Sequence, residues 1–290
     1  MATVEAARAI IKEACVRASK LWEIPIDAVT WEVGKVKPAG DNAGKQQALE
    51  NASRAIALAP NLADGYYARA MALLSFTQDW AGAQTDLEKA LALNDSDSSV
   101  LLGYARLLLS QARISESVVT ARGATERDPL QTLAWAMYGR ALAANGELED
   151  SREALERAVE LSPTSGFALF HLGNAHLLAG RPAQALPIYK RTRSAYGLVG
   201  VVMSEHSLGN PKESQVALDM AIDKSALGAA YQIAEAYAWR GESDKAFEWL
   251  DRAVAQNDGG VGFIRADPLL ANIKDDPRFT ALLKRIKLAD

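Results

Sequence analysis

A chain of 290 residues and 31.2 kDa exceeds one compact core and suits an array or two domains. Its 49% hydrophobic and 23% charged residues are those of a folded globular protein, and 32 basic against 36 acidic residues, without a basic run, argue against a nucleic-acid partner. No apolar stretch reaches the ~18–20 residues that span a bilayer, the N-terminus mixes charges unlike a secretory leader, and the single cysteine, Cys15, excludes an intramolecular disulfide; a cytoplasmic location is the expectation.

In chain order, Ala6, Ile10, Ile11, Ala14 and Ala18 share one face of a helix expected over residues 3–21. Pro25 turns the chain, Val29-Thr30-Trp31-Glu32-Val33 has strand propensity, and Gly34 leads to a second short strand at Lys35–Lys37. Residues 1–42 thus form a helix-plus-hairpin appendage. Ala48, Ala52, Ala55 and Pro60 mark a helix that opens a different pattern.

That pattern repeats. Pro129 and Pro163 are separated by 34 residues, and between them run Trp135-x2-Tyr138-Gly139-x2-Leu142, then Gly146, Ser151, Leu155 and Ala158. One period earlier stand Tyr104, Ala105, Leu108, Ser117, Ala121, Ala124 and Pro129; one period later Leu169, Leu172, Gly173, His176, Gly180, Ala185 and Tyr189. Tyr66, Ala70, Leu73, Ala83 and Ala90 fit the frame with one extra residue in the turn, and Leu208-Gly209 with Ala221 and Ala234 through Ala253 continue it. Six helix pairs are expected, beginning near residues 63, 98, 132, 166, 195 and 227, with the junction near 190–198 about five residues short. Small residues at the eighth and twentieth positions (Gly139, Ser151) admit close helix approach, large ones (Trp135, Leu142, Leu155) fill the layer, and Gly146 and Pro163 end helices.

The stretch from Trp135 to Pro163 resembles the tetratricopeptide repeat, which implies an all-α fold: an α–α superhelix over residues 43–258 in which first helices line a concave face. Beyond it, Gly259, Gly260 and Gly262 break the last helix, and Asp267-Pro268 and Asp276-Pro277 each read as a cap and first helical residue. Phe279, Leu282, Leu283 and Ile286 share one face, so residues 259–290 are expected to cap the open end of the array. AAYQIAEAYAWRGESDKAFEWLDRAVAQ and the DPRFTALLKRI ending resemble the C-terminal repeat tails of bacterial signalling proteins that carry cyclase, kinase or winged-helix domains. None of those effector domains is present. Residues 2–44 resemble an internal piece of the molybdenum-binding subunit of xanthine-oxidase-type hydroxylases, without its cofactor loops, as a gene fusion would leave.

Little in the sequence points to chemistry. His171 and His176 are five apart and fall on different helix faces, no HExxH, GxSxG or SxxK occurs, and Gly259-Gly260-Val261-Gly262 lacks the Lys-Ser/Thr of a phosphate loop. Catalytic residues, metal ligands and cofactors are therefore expected to be none. The resemblance instead implies a peptide groove lined by positions 2, 5, 9, 12 and 13 of the first helices. Those positions are Tyr67 and Met71, then Leu102 and Arg106, then Arg140. Phe167, Phe170, Asn174 and Leu177 follow, then Met203 and His206, then Tyr231, Glu235 and Trp239.

Arg106 and Arg140 hold the ninth position of successive repeats and suggest recognition of an acidic or carboxylate-bearing peptide. Both side chains are expected to point into solvent, so reversing both charges should leave the melting curve nearly intact. The family's carboxylate clamp is not satisfied, because Phe170 stands where a lysine is expected beside Asn174. A non-enzymatic protein-interaction scaffold is the reading; self-assembly into homo-oligomers through the appendage or end faces is the alternative.

Overall fold

The computed structural model describes residues 29–32, 35–38, 41–77, 79–192, 194–225 and 228–288; the helix expected over 3–21, with Cys15, lies outside them. The chain forms two compact units, Met1–Leu93 and Asn94–Asp290.

In the first unit, β1 (Val29–Glu32) and β2 (Lys35–Pro38) pair antiparallel, with Val29 opposite Pro38 and Glu32 opposite Lys35. Helix α1 (Asp41–Leu58) leads to the pair α2 (Ala63–Ala72) and α3 (Trp80–Leu93). The extra residue of this pair is absorbed by a π-helical segment, Leu73–Thr77, which continues α2, and Ala70 and Ala83 are both fully buried. Arg69 donates through Nε and Nη2 to the two oxygens of the buried Asp86, both at 2.7 Å, tying α2 to α3.

The second unit stacks five pairs: α4 (Ser98–Ser110) with α5 (Ile114–Arg127), α6 (Thr132–Ala144) with α7 (Leu148–Leu161), α8 (Gly166–Leu178) with α9 (Pro182–Arg191), α10 (Ala195–Ser207) with α11 (Pro211–Ser225), and α12 (Ala230–Trp239) with α13 (Ser243–Ala255). Helix α12 begins three residues into its expected span. The short junction has a simple origin: α9 is 10 residues long where α5 and α7 have 14, so the missing residues come from its C-terminal end.

One contact recurs within the pairs. The hydroxyl at the twentieth position donates to the carbonyl of the eighth: Ser117 to Ala105 at 2.8 Å, Ser151 to Gly139 at 2.7 Å and Ser214 to Val202 at 3.0 Å. The bond satisfies a buried hydroxyl and holds the two backbones within reach of one short side chain. At Gly139 there is no space for more, since a Cβ would lie 2.5 Å from Leu155 Cγ and 3.0 Å from the Ser151 carbonyl oxygen.

The turns after α6, α8, α10 and α12 each use a glycine in the left-handed region, Gly146, Gly180, Gly209 and Gly241 (φ +73° to +84°). After α4 the same place is held by Ala112 at φ +57°, followed by the same closing bond, Arg113 N to Leu108 O at 2.9 Å.

After α13, two 3₁₀ segments, Val261–Phe263 and Pro268–Ile273, precede α14 (Pro277–Arg285). Asp267 and Asp276 cap as their sequence suggests, accepting from Leu269 N and Arg278 N at 2.9 Å. Helix α14 lies along α13, with Arg278 bonded to Asp244 at 2.8 Å and Arg285 to Asp251. The 3₁₀ segments do something else: they fold back onto the first helices, placing Phe263 and Ala266 in one core with Leu102, Ala105, Leu109, Ala134, Met137 and Ala141.

These contacts predict two opposite outcomes. Gly139→Leu should destabilise the protein by about 1–3 kcal/mol or more through overpacking, while Gly146→Asn should melt close to the parent. Ala112→Gly should stabilise it by roughly 0.5–1 kcal/mol by relieving a left-handed non-glycine residue. Urea unfolding of the three variants measures both.

Candidate functional site

The ninth position of each first helix is the one expected to line a groove. In the second unit these residues are Arg106, Arg140, Asn174, Met203 and Glu235. Met203 is fully buried, and the other four are drawn into contacts with their neighbours or with the returning C-terminal segment.

Phe263 is the centre of that segment. The Arg140 guanidinium carbon lies 3.5 Å from its ring centroid and that of Arg106 5.7 Å, so both arginines engage the same aromatic ring. The expectation that they point into solvent is corrected: both are half-buried over the chain's own phenylalanine. Burial presses the Arg140 pKa down, with Asp267 as the largest opposing influence, and the guanidinium keeps its charge.

Four residues further along, Asp267 accepts from the Tyr231 hydroxyl at 2.7 Å through Oδ2 and caps the second 3₁₀ segment through Oδ1. Tyr231 also donates its backbone N–H to Asp258 at 3.1 Å. Glu235, one turn along α12, is 3% exposed and shares a hydrogen bond with Asp267; burial first, then the Asp267 charge, push its pKa well above the ordinary 4.5. Its Oε2 is buried and receives no N–H or O–H bond. The expected groove residues Leu102, Phe170, Tyr231 and Glu235 are therefore buried rather than displayed. The tail accounts for part of this, since Phe263 packs in one core with Leu102 and Asp267 bonds the Tyr231 hydroxyl, while Phe170 is covered by the Tyr189 and Tyr196 rings.

Asn174 is positioned by the shortened junction. Gly173 and Gly200 leave room for the Tyr189 ring, against which a Cβ at either would collide, and the buried Tyr189 hydroxyl donates to Asn174 Oδ1 at 2.6 Å. Burial also keeps His171 neutral, its pKa well below 6.5, with the Arg140 charge adding to the effect. Arg140, His171, Asn174, Glu235, Phe263 and Asp267, with aliphatic side chains such as Leu109 and Leu178, line a cleft of about 460 Å³ including its solvent-open part.

Other expected residues stand apart from this cleft. Tyr67 and Met71, both half-buried, belong to the first unit. Trp239 donates from Nε1 to Ser207 Oγ at 2.9 Å, and His206 is exposed. Phe167 remains at the surface, 36% exposed, with its ring centroid 4.4 Å from that of His171. Leu133 and Tyr196, 50% and 39% exposed, hold the same second position on α6 and α10 that Phe167 holds on α8. Sequence reasoning missed both, although the repeat register alone aligns the three. It also missed Phe263 and Asp267. Among the described residues no group of three or more His, Cys, Asp or Glu could hold a metal ion, and no helix is long and apolar enough to cross a membrane.

Two measurements follow from this site. Reversing both arginines to glutamate should lower stability by about 2 kcal/mol or more, because two cation–aromatic contacts become carboxylates beside Glu235 and Asp267; the control Arg152→Glu/Arg157→Glu on α7, which loses only intrahelical ion pairs such as those to Glu156 and Glu160, should change it less. The pH dependence separates Glu235 from His171. Glu235 stays protonated in the fold but ionises near 4.5 when unfolded, so stability falls as pH rises from there through its raised native value. His171 is neutral in the fold, so its contribution is lost as pH falls below about 6.5. Glu235→Gln removes only the first effect, so the loss of unfolding free energy as pH rises above about 4.5 should be smaller in it than in the parent.

A tetratricopeptide-repeat family model matches residues 132–175, which are α6, α7 and most of α8. No curated protein matches the chain. Solved structures do. PilW, a widely conserved type IV pilus biogenesis factor, is 19% identical with a TM-score of 0.56 over 62% of this chain and 86% of its own. PilF of Pseudomonas aeruginosa is 16% identical with a TM-score of 0.52 over 62% and 83%. A chain of the APC/C hetero-tetramer Cut9–Hcn1 is 15% identical with a TM-score of 0.53 over 83% and 52%. At these identities the likeness is one of fold. The protein is an α–α solenoid of tetratricopeptide type, and its third helix pair carries the sequence pattern of that family.

Proposed function

We propose that the protein is a non-enzymatic interaction scaffold whose second unit binds an apolar segment of a partner protein along the open edge of its first helices. The observation that carries this reading is the row Leu133, Phe167 and Tyr196. Three large apolar side chains occupy one register position on α6, α8 and α10, which pack in succession, and all three stay exposed where their neighbours are covered. Scattered exposed apolar residues are ordinary in soluble proteins; an aligned row of them on a repeat scaffold is a contact surface. Phe167 and Tyr196 are rigid side chains that offer large contact area at low entropic cost. A chain of this fold in Cut9–Hcn1 likewise stands in a protein assembly. Because both arginines are engaged with Phe263, the row, rather than the basic pair, is the recognition feature, and an acidic partner is not required.

Panning a randomised peptide library against the parent and against the triple variant Leu133→Ser, Phe167→Ser, Tyr196→Ser tests this. Peptides enriched in aliphatic and aromatic residues should bind the parent in the micromolar range and lose at least about tenfold on the variant, whose melting curve should match the parent's. Equal binding to both would remove the row as the site. Concentration-dependent association of the parent that the triple change abolishes, without peptide binding, would make the row a self-assembly surface instead.

A further inference from the structure

The cleft beside Phe263 has polar chemistry that neither the packing nor the exposed row accounts for. Its walls hold one positive group, Arg140, one negative group, Asp267, and two groups that burial keeps uncharged, His171 and Glu235. The donors are the Arg140 guanidinium and the Asn174 amide, whose Oδ1 is already committed to the Tyr189 hydroxyl, so that the NH₂ is what Asn174 has left to offer. The acceptor is the Glu235 carboxyl, 3% exposed, with Oε2 receiving no N–H or O–H bond. Asp267 offers less, since its oxygens already accept from Tyr231 and from Leu269 and share the Glu235 proton.

A buried acceptor without a donor is costly unless something supplies one. The group that answers donors on one wall and an acceptor on another is a carboxamide: its carbonyl oxygen accepts from Arg140 and Asn174 while its NH₂ donates to Glu235. A carboxylate answers only the first wall. It has no hydrogen for Glu235, whose own proton is shared with Asp267, and it brings a negative charge against that pair. A cation meets Arg140. We therefore infer that the cleft bounded by Arg140, Asn174 and Glu235 is a binding site for a neutral primary carboxamide, either a glutamine side chain of a bound segment or a small amide ligand.

His171 links this site to the exposed row. Its ring lies 4.4 Å from Phe167 and 5.4 Å from Phe170, centroid to centroid, and it also lines the cleft. A segment lying on Phe167 thus has the cleft within side-chain reach. The inference itself does not require the row, and a probe too small to span both tests it alone.

The test uses the full chain and three capped amino acids: N-acetyl-glutamine methylamide, N-acetyl-glutamate methylamide and N-acetyl-norvaline methylamide. Each is titrated into labelled protein near neutral pH while the side-chain resonances of Asn174 and Arg140 are followed by NMR. The glutamine probe should shift both saturably in the millimolar range, with the other two at least about tenfold weaker. Glu235→Gln, which keeps a neutral acceptor of the same shape, should retain binding; Glu235→Leu should lose it, and a near-parental melting curve for Glu235→Leu shows that the loss is local. Equal or tighter binding of the glutamate probe would overturn the assignment in favour of a carboxylate site. Absence of saturable shifts with every probe, or unchanged binding in Glu235→Leu, would overturn it outright. None of these outcomes depends on Leu133, Phe167 or Tyr196, so failure here leaves the exposed row standing, and failure of the row leaves the cleft.

Discussion

Everything in the second unit depends on how closely its paired helices approach. A serine hydroxyl reaching the carbonyl twelve residues earlier, in three of the five pairs, sets that distance, and in two of the three an alanine or glycine at the eighth position permits it. With the pair spacing fixed, the first helices present the same face at every step, and their ninth positions fall into one row. Where the spacing is met differently, the site inherits the difference: α9 is short, Tyr189 comes in against Gly173 and Gly200, and its hydroxyl orients Asn174.

Much of this was legible in the sequence because the repeat imposes a period on it. The starts of five first helices and the turn glycines follow from a 34-residue interval and a few small residues. The ninth-position row was legible too, as was the proximity of Arg106 and Arg140. What covers that row was not. Residues 261–273 fold as two short 3₁₀ segments, whose apolar residues follow neither a 3.6-residue nor a two-residue period, so no pattern assigns them a face. The one available signal was compositional. Val261, Phe263, Ile264, Leu269, Leu270 and Ile273 are too many apolar residues for a piece meant to show water a polar surface.

The same segment reverses the electrostatic reading of the groove. Two arginines in neighbouring repeats look like an anion site until both are taken up over one aromatic ring and the Asp267 and Glu235 carboxyl groups close in on Arg140. Within the cleft the Arg140 charge is then offset by that of Asp267, and selectivity shifts from charge to the arrangement of donors and acceptors. Low dielectric makes that arrangement exacting, since each buried polar group that fails to find its complement is penalised in full.

The returning tail also changes how the unit holds together as a whole. A repeat array normally contacts only its neighbours, so its stability is a sum of local steps and its ends fray independently. Here Phe263 leaves the last pair and packs against α4 and α6, the first two first helices of the unit, while Asp267 stays bonded to Tyr231 on α12. The array is closed across all five of its pairs, and this contact couples the two ends of the unit directly, a tie that neighbour-only stacking lacks.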